Sequence, residues 1–244
     1  MVLNARELAV PGQRWADYTV LQQLHHSERS LVLRCARADA AAPVVLKIHR
    51  PAATPQALAM ARFRHEYELA RRIEHPHVLR PTRLASFEGA LYYEMPDDGA
   101  LALRDLLRRG PLPLPAVLRT ALAVVDALQA VHAQHVIHKD VSPGNVIANL
   151  HNGVVRLIDF GIAAELSSER PVLARPDELE GTLATLAPEQ SGRMNRDVDY
   201  RADFYALGAT LHECIAGRPP FAFDDPVAAV HAHLALAAPA LSTL

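Results

Sequence analysis

Residues 136–161 read VIHKDVSPGNVIANLHNGVVRLIDFG, and two short pieces inside this stretch decide the fold. His138-Lys139-Asp140 is followed at a fixed distance by Asn145, giving H-K-D-x-x-x-x-N. Asp159-Phe160-Gly161 comes directly after the β-rich run Val154–Ile158. Downstream, Ala187-Pro188-Glu189 closes a segment rich in Ser, Pro and charge. Upstream, Lys47 lies inside the strand-like run VVLKI, and Glu66 lies on a helical stretch ahead of Pro76. Singly, each piece has a bland explanation. A buried Lys and Glu make a structural ion pair, Asp140 suits a turn, and Asp159 suits a strand end. The information is in the order and spacing of all five.

Around these motifs the composition is that of an ordinary globular chain. The 244 residues carry 25 Lys+Arg against 27 Asp+Glu, a net charge of −2, and half of them are hydrophobic. Such a chain is too apolar to be disordered and lacks the basic excess of a dedicated nucleic-acid binder. Cys35 and Cys214 are far apart and read as small buried apolar residues in a reducing compartment. The opening residues MVLNARELAVPGQRW show no basic-then-apolar leader. Apolar stretches such as Ala121–Val125 and Leu234–Ala238 fall short of the ~18–20 residues of a membrane span. The expectation is a cytoplasmic chain without a membrane span. Thirteen histidines raise the possibility of zinc, with His132, His135 and His138 at i, i+3, i+6. No Cys or carboxylate cluster accompanies them, so a zinc site is not expected.

The patterning changes near Pro96. Before it, Tyr18–Leu24 and Leu31–Ala36 read as strands around the polar hexapeptide His25–Ser30, with a third strand at Val44–Ile48. Residues 56–74 read as a helix with Phe63, Tyr67, Ala70 and Ile73 at 3–4 spacing, ended by Pro76. Leu84–Phe87 and Leu91–Met95 form a strand pair turned at Glu88-Gly89. After Pro96, residues 114–134 form a helix apolar on more than one face, expected to be buried. Tyr200–Ala216 forms another, closed by Gly217 and Pro219-Pro220, and Pro226–Ala237 a last one. The chain is therefore expected to divide into an arm over 1–14, a β-rich part over 15–96 and a helical part over 97–244.

In these motifs the sequence resembles the eukaryotic-type Ser/Thr protein kinase domain over roughly residues 15–244. The stretch GTLATLAPEQSGRMNRDVDYRADFYALGATLHECIAGRPPF, residues 181–221, is similar to the kinase module that opens large bacterial multidomain sensor proteins. Those continue into an ATPase region, sensor modules and a histidine kinase, so such C-terminal regions are implied as partners within a longer protein. The resemblance implies an α+β, two-lobed fold with a β-rich small lobe and a helical large lobe. Two further C-terminal helices of the family are missing from this sequence. It implies ATP and Mg²⁺ as cofactors and a Ser/Thr hydroxyl of a protein, or of the chain itself, as acceptor.

The residue roles follow from the same resemblance. Phosphoryl transfer spreads negative charge, so the protein positions and neutralises. Lys47, paired with Glu66, would meet the α/β-phosphates; spacing to Pro76 favours Glu66 over Glu68. Asp140 would accept the acceptor hydroxyl's hydrogen bond and proton. Asn145 and Asp159 would hold Mg²⁺ through oxygen, with Gly161 letting the chain turn away. Thr182 would line the substrate site and favour Ser/Thr over Tyr. His138 and Phe160 would pack behind the site, and Asp203 would brace the loop backbone.

Several positions depart from the family's pattern. Aligned through Val32, which would cover adenine, the phosphate loop after Leu24 has His25, Ser27 and Ser30 where glycines are usual. Ser142 stands where a lysine is usual. With Tyr93 as the residue guarding the adenine pocket, Glu94 would offer its carbonyl to adenine and Pro96 would lack the usual N–H. Lys139 replaces an arginine, losing its bidentate fork. These departures motivate one alternative, a pseudokinase that binds and scaffolds with little turnover. A small-molecule phosphotransferase is a second alternative, disfavoured by Ala187-Pro188-Glu189 after Gly181-Thr182.

Overall fold

Buried side chains recur at every second position through Tyr18 and Val20, and again through Leu31, Leu33 and Cys35. This is the period of strands that cover one face of a sheet. The computed structural model describes residues 10–50, 56–165, 182–194 and 196–243. Gly181 and the first nine residues of the expected arm lie outside them. The chain forms two compact units, one of residues up to Glu74 plus Leu79–Gly99, the other of His75–Val78 plus the residues from Ala100 onward.

The first unit is an antiparallel sheet with one helix. Its strands are β1 (Arg14–Trp15), β2 (Tyr18–His26), β3 (Ser30–Arg37), β4 (Val44–His49), β5 (Arg83–Phe87) and β6 (Ala90–Pro96), in the order β1-β2-β3-β4-β6-β5. Helix α1 (Gln56–Arg72) follows β4. One face of the sheet buries Trp15, Tyr18, Leu33, Leu46, Ile48 and Tyr92. Every residue of β4 is buried. Its other face lies under α1, where Phe63 packs edge-on to His49 at 5.5 Å and against Tyr93 at 5.0 Å. The helix stops at Arg72, short of the expected residue 74, while Ile73 stays buried beyond it. Glu88 and Gly89 both take positive φ, the tight two-residue turn that suits the twist of β5 and β6.

The second unit is largely helical. It runs β7 (Leu101–Ala102), α2 (Leu103–Leu107), α3 (Leu114–Ala133), β8 (Val136–Ile137), β9 (Val146–Ala148), β10 (Val155–Leu157), β11 (Ala164–Glu165), α4 (Arg201–Ala216) and α5 (Pro226–Ala235). Strands β10, β9 and β7 form one small sheet, and β11 pairs with β8. Gly217 takes φ +71° and ends α4 with its N–H on the Glu213 carbonyl. The segregation of a β-sheet unit from a helical unit is an α+β fold.

Two expectations need correction here. Helix α3 buries Val117, Val124, Leu128 and Val131 but leaves Leu114, Leu118, Leu122 and Val125 exposed, so only part of its circumference is core. Among the described residues α3 is also the one helix long and apolar enough to cross a membrane by length and composition, although no apolar run within it reaches that length uninterrupted. The chain does not turn helical directly after Pro96: β6 runs through Pro96, and β7 precedes the first helix. A strand of two residues is too short to show a period.

Candidate active site

In the first unit the strand register collects the expected nucleotide residues. His25 lies opposite Val32, Val32 opposite Lys47, and Lys47 opposite Tyr93. Directly opposed residues project to the same face, so these four form one row. Lys47 is buried in the middle of the sheet, where an unpaired ammonium would be very costly. Its Nζ lies 2.6 Å from Glu66 Oε1 on α1, and the Tyr93 hydroxyl donates to that same oxygen at 2.5 Å. Glu66, not Glu68, faces the sheet: Glu66 is buried and Glu68 exposed.

The hairpin tip carrying Ser27 and Ser30 is closed on itself. The strands extend to His26 and from Ser30, leaving residues 27–29 as the turn rather than the expected hexapeptide. Ser27 Oγ accepts the Ser30 N–H at 3.1 Å, and the Ser27 N–H donates to the Ser30 carbonyl at 2.9 Å. Arg50 clamps the tip, with Nη1 2.6 Å from the Ser27 carbonyl and 2.7 Å from His26 Nε2. Leu24 and His25 sit on β2 just ahead, in the region where its pairing with β3 shifts register.

Glu94 is placed differently from the expectation. Its carbonyl accepts the Thr82 N–H at 2.8 Å and the Thr82 hydroxyl at 3.2 Å. The Glu94 side chain takes the Tyr18 hydroxyl at 2.8 Å and Arg37 Nη1 at 2.9 Å. Both ends of Glu94 thus take part in hydrogen bonds within the unit. The Tyr93 ring packs under α1 against Phe63 and Tyr67. Along a strand, backbone groups alternate in direction. The Pro96 carbonyl therefore points to the same side as that of Glu94, one step past Arg83, where β5 begins. The missing N–H of Pro96 costs nothing at a strand end.

In the second unit, the loop 138–145 links β8 to β9. Asp203, fully buried in the first turn of α4, accepts the N–H groups of His138 at 2.9 Å and Lys139 at 2.7 Å, and His132 Nε2 lies 2.7 Å away. Thr210 on α4 donates its hydroxyl to the Val141 carbonyl at 3.0 Å. The other side of the loop is held by Gln190, whose Nε2 donates to the Lys139 carbonyl at 2.8 Å. His138 packs edge-on to Phe160 at 4.8 Å, with Nε2 3.1 Å from the Ile158 carbonyl. These contacts give His132 and His138 structural work without a metal.

Asp140, Asn145 and Thr182 meet in this frame. Asn145 Nδ2 donates to Asp140 Oδ2 at 2.6 Å and to the Asp140 carbonyl at 3.0 Å. The Thr182 N–H donates to Asp140 Oδ1 at 2.9 Å. Burial pushes the Asp140 carboxyl above its ordinary value, against hydrogen bonds from Thr182, and the nearby Asp159 carboxylate adds to the rise. The Ile158 N–H donates to the Asn145 carbonyl at 2.9 Å, fixing the start of the second motif. Asp159 itself adopts φ +66°, and its Oδ1 accepts the Gly161 N–H at 3.1 Å. The left-handed residue of this motif is the aspartate, two positions before Gly161 and of a type that tolerates this region. Ser142 is buried, and its carbonyl accepts the Asn145 N–H at 2.9 Å.

Comparison with known proteins agrees with this arrangement. Residues 18–237 match the protein kinase domain family. The chain is 35% identical to the serine/threonine-protein kinase PknH of Mycobacterium tuberculosis, over 71% of this chain and 27% of that protein. It is 32% identical to PknD of the same organism, over 97% of this chain and 35% of that protein. Identity to its PknF is 32%, over 94% and 49% respectively. The chain thus spans about a quarter to a half of the length of these relatives. With an aspartate loop braced from α4, a lysine–glutamate pair on the sheet and a family match over nearly its whole length, the chain belongs to the protein kinase domain family.

Proposed function

We propose that this domain transfers the γ-phosphate of ATP to a serine or threonine hydroxyl of a protein. The observation that carries the reading is the Asp140 carboxylate, held by Asn145 and Thr182 on a loop fixed to the buried Asp203. With the hydrogen bonds from Asn145 and Thr182 in place, the carboxylate still has lone-pair capacity for an incoming hydroxyl. Asp140 orients that hydroxyl and takes up its proton as the oxygen attacks phosphorus. Thr182, beside Asp140, lines the acceptor position.

Lys47, kept straight by Glu66, offers a point charge to the phosphates. The residues present suit Mg²⁺: Asn145 commits its amide nitrogen to Asp140 and would offer its oxygen, and Asp159 would add a carboxylate, both hard donors. When bound, the ion neutralises charge on the phosphoryl group in transfer. Val32 and Leu24 cover the base. Because the Glu94 carbonyl is bonded to Thr82, the adenine amine is read by the Pro96 carbonyl instead. The lack of an N–H at Pro96 then has no consequence.

A second reading, a nucleotide-binding module with slow turnover, is favoured by the closed Ser27–Ser30 hairpin tip with its Arg50 clamp. The likeness of residues 181–221 to sensor-protein modules supports a cytoplasmic role as the kinase part of a longer signalling protein. To test the main reading, the chain is incubated with Mg²⁺, γ-labelled ATP and a mixed protein acceptor, and the labelled protein is hydrolysed to amino acids. Phosphoserine and phosphothreonine are expected. Label on tyrosine alone would overturn the assignment of the acceptor. ATP binding with no labelled protein would favour the second reading.

A further inference from the structure

His233, on α5, is one of the few buried polar residues of the second unit with both ring nitrogens engaged. Its Nε2 lies 2.8 Å from the Leu183 carbonyl, and its Nδ1 lies 2.8 Å from the Tyr205 hydroxyl on α4. A carbonyl only accepts, so Nε2 carries the hydrogen and Nδ1 receives one from Tyr205. The ring is further fixed edge-on to Phe221 at 5.1 Å and to Tyr205 at 5.7 Å. Desolvation favours the neutral form, as this arrangement requires.

Leu183 opens the single 3-10 turn Leu183–Thr185. That turn is stitched by the Thr185 N–H on the Thr182 carbonyl at 3.0 Å and the Leu186 N–H on the Leu183 carbonyl at 3.4 Å. A single turn of this kind has weak internal bonds and does not hold its place alone. The residue that caps it, Thr182, donates its N–H to Asp140 Oδ1. We propose that His233 is a positioning residue for the acceptor site, anchoring the 182–185 turn through the Leu183 carbonyl so that Thr182 stays on Asp140. The anchor runs from Tyr205 on α4 through His233 on α5 to the turn, so α5 is mechanically part of the acceptor site. The kinetic form of the proposal rests on the proposed transfer reaction; its structural form does not.

The test uses the full chain with His233→Phe, which keeps a ring between Phe221 and Tyr205 but removes the donor, and His233→Gln, which restores an N–H near the Nε2 position. Two readouts are taken. Peptide KM is expected to rise about tenfold in His233→Phe, the worth of one buried hydrogen bond of ~1.4 kcal/mol, with ATP KM unchanged and partial recovery in His233→Gln. Amide exchange at Thr182, Thr185 and Leu186 is expected to speed up by about the same factor in His233→Phe. Tyr205→Phe, which leaves Nε2–H in place but frees the ring, shifts both readouts in the same direction by less. If His233→Phe melts at the wild-type temperature with unchanged peptide KM and unchanged exchange, the proposal is wrong. If the wild type transfers no phosphate, the transfer reading fails, and the exchange rates still decide whether His233 anchors the turn. Should His233→Phe not fold, unchanged exchange at the three amides in Tyr205→Phe would refute it.

Discussion

The Lys47 ammonium on β4 lies 2.6 Å from Glu66 Oε1 on α1, and both groups are buried. Tyr93 donates to that same oxygen, so one carboxylate oxygen collects two donors from neighbouring strands. Removing one member of a buried pair leaves the other uncompensated. Lys47→Met is expected to lower stability by about 3 kcal/mol in urea unfolding and to reduce phosphate transfer more than ~100-fold. Tyr93→Phe keeps the ring packing and the ion pair, and is expected to cost only about 1 kcal/mol while raising the ATP KM.

Asp203 holds two backbone N–H groups and His132 at once. Asp203→Ala orphans these donors in a fully buried place, at about 1–3 kcal/mol each. Unfolding in urea is expected to show a loss of at least ~3 kcal/mol, with Asp203→Asn intermediate because its amide oxygen still accepts. Equal stability of wild type and Asp203→Ala would show that the loop is held elsewhere.

The hairpin tip of residues 27–29 is closed by backbone bonds together with the Ser27 hydroxyl and the Arg50 guanidinium. Ser27→Ala and Arg50→Ala are each expected to cost about 1 kcal/mol and to raise amide exchange at Ser30 several-fold. If the closed tip restrains nucleotide entry, both variants will also bind ATP faster in stopped-flow measurements.

His49, buried on β4 beside Phe63, has its imidazole pushed below the ordinary histidine value by desolvation. The unfolded chain therefore binds this proton more readily than the folded one, and stability falls as pH drops below about 6.5. Above that pH both states are neutral and the effect vanishes. His49→Phe is expected to show a shallower loss of stability between pH 7.5 and 5.5 than the wild type, read by urea midpoints at both pH values. A steeper loss would contradict the assignment.

Much of this arrangement is legible in sequence because its chemistry is local in the chain. Asp140 and Asn145 lie on one short loop, and Asp159-Phe160-Gly161 on the next, so their spacing survives any detail of packing. Asp203 is likewise readable as a carboxylate at a helix start. The hydrogen bonds from Thr82 to the Glu94 carbonyl are not, because they join residues twelve positions apart in the chain. Helix α3 reads as buried all round because leucines occupy its outer face as well as its inner one. The positive φ of Asp159 is equally hidden, since the adjacent motif glycine draws attention to itself. His233 carries no motif, and its role emerges only when α5 is laid against Leu183.

The most direct test of the central claim compares wild type with Asp140→Asn in transfer of γ-labelled phosphate from MgATP to protein. Asparagine keeps the shape and an accepting oxygen but cannot take up the hydroxyl proton. The account predicts robust label on serine and threonine in the wild type and a loss of about 10²–10⁴-fold in the variant, with ATP binding retained. Undiminished transfer by Asp140→Asn, or a folded, ATP-binding wild type that labels no protein, would contradict it.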